Sequence, residues 1–133
     1  MIDLRTATQR AFVQALGVPA GTGLAPVLQH VPENTQPPMA IVADVVAEAV
    51  GGKDGGLDRM TVEVLTAVRE PRREALYALM AAVADTIDGK ALPAQAGATL
   101  SVPTLESSDD EILEDGKTYM GTQRFTLFAQ PAD

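Results

Sequence analysis

Apolar positions recur along the chain with two different periods, and the switches between them predict the elements. Leu4, Thr8, Ala11, Phe12, Ala15 and Leu16 follow the i, i+4, i+7, i+8 spacing of one helix face. Asp3 is placed to cap the N-terminus, and Gly17 with Pro19 ends the run. Arg5, Gln9 and Gln14 then point outward. Residues 17–38 hold Gly17, Pro19, Gly21, Gly23, Pro26, Pro32, Pro37 and Pro38, which leaves little room for regular structure. Leu24, Val27, Leu28 and Val31 are apolar, so this loop is expected to lie against the body of the domain.

The stretch from Met39 to Val46 is dense in β-branched residues and predicts a strand, over a rival helix favoured by its alanines. Gly51-Gly52-Lys53-Asp54-Gly55-Gly56 is a glycine-rich connection. Met60 to Val68 is the clearest strand, with Val62, Val64 and Val68 on one face and Thr61, Glu63 and Ala67 on the other. The two strands form an antiparallel hairpin, joined by a connection of about ten residues, longer than a tight turn needs.

Pro71 suits the first turn of a second helix capped near Glu70. Leu76, Leu79, Met80, Val83 and Ile87 make its apolar stripe, and Gly89 its stop. Thr99 to Leu105 reads as a third strand, with Pro103 assigning it to an edge or a bulge because proline lacks a donor. In the fourth strand, Tyr119, Phe125 and Leu127 alternate with Thr122, Arg124 and Thr126, and Pro131 closes it. The order is helix, strand, strand, helix, strand, strand. The fold class expected is α+β: a four-stranded, mainly antiparallel sheet with both helices on one face and a polar second face.

With 133 residues the chain is expected to be a single domain over 1–133. It contains no cysteine, which excludes disulfides, thiolate metal sites and a cysteine nucleophile. One histidine, His30, excludes a multi-histidine metal site. The net charge is −8, from 10 basic and 18 acidic residues, and the excess is local. Glu106, Asp109, Asp110, Glu111, Glu114 and Asp115 are six acids within ten residues. The stretch lacks EF-hand spacing and is interrupted by Ile112 and Leu113, so it is read as a solvated loop able to dock onto something. An acidic domain has no footprint for nucleic acid across its surface. Neither a targeting segment nor a run of the ~18 apolar residues that spans a bilayer is seen, so the chain is expected to be soluble, cytoplasmic where it is made and without a membrane partner.

Catalytic patterns are not found. The Gly51–Gly56 segment lacks the Gly-Lys-Ser/Thr ending of a phosphate loop and precedes a strand, not a helix. Ser101, Ser107 and Ser108 stand in no nucleophile elbow. His30 lies between Pro26 and Pro32, in irregular surroundings. Asp44 and Glu63 are the acids within expected strands and the one pair to weigh for carboxylate chemistry. No enzyme activity, cofactor or metal is expected. Long charged loops on a small sheet suit an assembly module.

The whole pattern resembles the small tail terminator proteins, also called tail completion or tail-to-head joining proteins, of long-tailed phages and gene transfer agents. The resemblance rests on the helix ending at Leu16-Gly17, on Val31-Pro32-Glu33-Asn34-Thr35-Gln36-Pro37-Pro38-Met39-Ala40-Ile41-Val42, on the strand Met60 to Val68, on the helix Arg72 to Asp88, and on Asp115-Gly116-Lys117-Thr118-Tyr119 before the strand through Arg124-Phe125. It covers nearly the full length, the insert Glu106 to Glu114 excepted. It implies a ring, typically hexameric, that caps the finished tail tube, stops its polymerisation and meets the head connector or stopper, in the virion after assembly in the host cytoplasm. DNA would pass through the lumen without specific binding; if the acidic segment faces that lumen, its charge would repel the DNA phosphates. The candidate assembly loops are Gly51, Gly52, Lys53, Asp54, Gly55 and Gly56, and Asp109, Asp110, Glu111, Ile112, Leu113, Glu114 and Asp115. The alternatives are another neck component, such as a stopper or head-completion protein, and a small α+β enzyme or ligand-binding domain.

Overall fold

The computed structural model describes residues 3–17, 27–28, 39–50, 56–69 and 73–132. Helix α1 spans Leu4–Gly17, strand β1 Val27–Leu28, β2 Met39–Val50, β3 Leu57–Val68, helix α2 Arg73–Ile87, and strands β4 Ala98–Leu100, β5 Thr104–Ile112 and β6 Tyr119–Pro131. The class is α+β, as expected.

The strand count is corrected from four to six. The sheet runs β1-β2-β3-β6-β4, with β5 also paired to β6. Strand β1 pairs β2 in parallel through two residues only, inside the stretch expected to lack regular structure. All other pairings are antiparallel. The expected third strand is split into β4 and β5, which share one edge of the thirteen-residue β6. Pro103 falls in the break between them, as a residue without a donor should. Strands β2 and β3 are longer than expected and pair as far as Val50 with Leu57, so their connection is six residues, 51–56, and not about ten.

The acidic stretch is also corrected. Glu106 to Ile112 is strand, not solvated loop. Six residue pairs hold it to β6, and its position at the sheet edge leaves most of its carboxylates exposed. Propensity opposes Asp and Glu in strands, but a long apolar neighbour with free backbone groups outweighs it.

Both helices cover the same sheet face. Phe12 and Leu16 of α1, Val83 and Ile87 of α2, and Val42, Met60, Val62, Val64, Phe125, Leu127 and Ala129 of the strands form one buried cluster. The Phe12 and Phe125 rings meet at 5.9 Å in a tilted arrangement. Asp3 caps α1 as expected, its Oδ1 accepting from Arg5 N at 2.9 Å. The α2 stripe is buried residue for residue. Gly89 ends that helix with φ of 71°, a left-handed conformation suited to glycine, and its N–H donates to Pro103 O at 2.9 Å. Gly121 lets α2 approach β6, since a Cβ there would collide with the Met80 side chain. Residues 70–72, expected to cap α2, lie outside the described residues.

Candidate assembly surface

The strand alternation that buries Val62 and Phe125 turns Glu63 and Arg124 to the opposite, helix-free face. There Arg124 sits between two acids: its guanidinium lies 3.3 Å from Glu63 Oε2 and 3.7 Å from Asp109 Oδ2. It also donates to Ser107 Oγ at 3.5 Å. Three neighbouring strands, β3, β6 and β5, are thus tied by one side chain. Each contact is exposed, and such pairs contribute about 0–1 kcal/mol apiece, so the ladder sets orientation more than stability.

Asp44 stands directly opposite Glu63 on this face. The two acids weighed for carboxylate chemistry are therefore adjacent, but Glu63 is committed to Arg124. Glu48, Glu106 and Glu111 add further carboxylates, against Arg59 and Arg124 as the cations of this face among the described residues. Glu106 accepts from Thr126 Oγ1 at 2.7 Å. A broad depression of about 560 Å³ opens here, lined by polar groups of Glu48, Arg59, Thr61, Thr104 and Glu106 beside Phe128. Val46 and Phe128 are large apolar side chains left 51% and 43% exposed.

The acidic strand is divided by the pleat. Asp109 and Glu111 lie on the open face, opposite Thr122 and Met120. Asp110 faces the helices, where its Oδ2 is 3.0 Å from Arg73 Nε and accepts from Tyr77 OH at 3.4 Å. The Arg73 guanidinium also stacks 5.5 Å from the centre of the Tyr119 ring. Ile112 is exposed and Leu113 half-buried, the latter's N–H donating to Thr118 O at 2.8 Å. Glu114 is exposed in the turn. Asp115 closes that turn. Its Oδ1 accepts from Lys117 N and Thr118 N, both at 2.9 Å, and its Oδ2 from Thr118 Oγ1 at 2.7 Å. These hydrogen bonds, led by that from Lys117 N and aided by Arg69 at 3.7 Å, hold its pKa down to about 2.

Of the other candidate loop, Gly51, Gly52, Lys53, Asp54 and Gly55 lie outside the described residues, as does His30. Gly56 has φ of 60° and abuts Pro131. Arg124 as the centre of an ion-pair ladder was missed in the sequence; alternation placed it on the polar face, but only register names its partners. Among the described residues, no group of three or more His, Asp or Glu side chains could hold a metal ion, and no helix is long and apolar enough to cross a membrane.

Among the described residues the geometry is an α+β fold with one sheet face covered by both helices and an opposite face that is polar apart from a buried patch of Ile41, Leu65 and Ala67 at one end. The family model for "Tail completion protein gp17" matches residues 10–129. The chain belongs to that tail completion family, whose members are structural components of phage tails. A solved structure described as "Virion of native gene transfer agent (GTA) particle" contains a chain of the same fold, with TM-score 0.83 and 18% identity, over 98% of this chain and 99% of that one. A search of curated proteins finds no match.

Proposed function

We propose that the chain forms a ring, hexameric in the finished particle, that caps the completed tail tube, stops its polymerisation and joins it to the head-side connector. The observation that carries this reading is the family match along nearly the whole length. The virion origin of the chain with the same fold agrees with it. A closed ring needs a heterologous contact, in which one patch of a subunit meets a different patch of the next. The fold offers such a pair in its two unlike edges, one alanine- and valine-rich and one acidic.

Electron microscopy of particles made without this chain tests the reading. Overlong tails without heads are the expected result. Tails of normal length attached to heads overturn it. Normal-length tails that lack heads point to the second reading, a stopper or head-completion role, which recovery of portal-side proteins and not tube protein in a pulldown would support.

A further inference from the structure

Two long strand edges are unpaired among the described residues. On the outer side of β2, only Ala40 and Ile41 have a partner, in β1. Beyond the bulge at Ala43, Asp44 to Val50 show free backbone groups, over roughly 23 Å at the usual strand rise. At the far side of the sheet β5 pairs β6 alone, and beyond its own bulge at Glu106 the stretch Ser107 to Ile112 is free over about 20 Å. Exposed edges of this length are unusual, since they recruit other strands. Val46, the most exposed large hydrophobic side chain among the described residues, lies on the first of them.

We infer that these edges join successive copies of this chain: β5 of one subunit adds to β2 of the next as an antiparallel strand. The inference rests on the ring reading above. Strand direction fits it. Strands β2, β3, β6 and β5 alternate in direction, so β5 runs opposite to β2. Rotating a copy about an axis near the strand direction preserves those senses. It therefore brings β5 against β2 antiparallel, the arrangement of the rest of the sheet.

Charge also favours it. On the β2 flank, a groove between α1 and the strand is lined by Arg5, Thr6, Gln9, Val42, Asp44 and Val45. Arg5 has no ion-pair partner among the described residues, and α1 carries Arg10 but no acid. The opposite flank is β5, with Asp109, Asp110 and Glu111 in succession. Arg5 thus offers one cation, beside the Asp44 of its own groove, to a strand rich in carboxylates. Pairing open face with open face allows a register with Val46 opposite Asp109 and Glu48 opposite Ser107. Asp44 then faces Glu111, one like-charge pair costing up to about 1 kcal/mol against a ladder of backbone hydrogen bonds.

The chain has no cysteine of its own, which makes cross-linking site-specific. Particles assembled with the Val46→Cys/Asp109→Cys double variant, treated with a short bis-maleimide, should give a denaturing-gel ladder extending to the ring size, whereas either single variant should stay monomeric. Adding Arg5→Glu should remove most of the ladder, and Arg5→Lys should retain it. A ring visible at the tail end with no ladder overturns the β2–β5 contact while leaving the ring intact. Dimers from Val46→Cys alone, or linkage of Val46→Cys to another tail protein, overturn it by giving the edge a different occupant. Tails lacking this chain altogether overturn the ring reading, and this contact with it.

Discussion

Asp115 accepts three hydrogen bonds from the two residues Lys117 and Thr118, and Gly116 between them adopts φ of 69°. One carboxylate thereby closes the β5–β6 hairpin. Its folded-state pKa, about 2 against an ordinary 3.8, is depressed. The stabilisation it gives is complete above the ordinary value and is lost as pH falls from there towards 2. Thermal melts across that acid window should show a steeper loss of Tm in the wild type than in Asp115→Asn, which starts less stable at neutral pH. At Gly121 the constraint is steric. A methyl group there meets the Met80 side chain, so Gly121→Ala should cost about 1–3 kcal/mol in urea unfolding. Combining it with Met80→Ala should cost less than the sum of the two, because both changes act on one contact.

At the scale of elements, α1 and α2 hold no surprises, because each buries one stripe whose period was visible in the chain. The strands differ. Their faces were readable from alternation: Thr122, Arg124 and Thr126 are half-exposed while Phe125 and Leu127 are buried. Their partners were not. Asp44 opposite Glu63 is a product of register and of the bulge at Ala43, which turns Asp44 to the open face. Like charges placed so oppose the pairing, and Glu63 is already satisfied by Arg124. Asp44→Asn should therefore raise stability by about 0.2–1 kcal/mol, measured by urea unfolding at low salt, with the gain shrinking as salt is added.

For the whole molecule, the sheet separates two surfaces of different character. One is sealed by the helices, and the other presents, among the described residues, Asp44, Glu48, Glu63, Glu106, Asp109 and Glu111 against Arg59 and Arg124. We propose that this open face lines the lumen of the ring and keeps DNA phosphates from adhering, the reverse of a basic binding groove. The contact proposed between copies uses the backbone edge of β5, which leaves Asp109 and Glu111 on that face. Asp109→Asn/Glu111→Gln should leave the melting temperature nearly unchanged and slow DNA passage, read as delayed delivery by assembled particles. Unaltered delivery would argue against a luminal role. Asp110 does not belong in that variant, because Arg73 and Tyr77 bind it on the helix side.

The sequence by itself determined the two helices, the Asp3 cap of the first, the stops at Gly17 and Gly89, and the inward residues of β3 and β6. These follow from local periodicity and from the conformational limits of glycine and proline. It also carried, through the order of its motifs, the tail completion family. Only the tertiary structure decided that the acidic stretch is a strand, that β4 and β5 share one edge of β6, and that Arg124 joins Glu63 to Asp109. Those outcomes depend on pairing between residues far apart in the chain, where a free edge on β6 outweighs the weak strand preference of Asp and Glu. No local pattern encodes that competition.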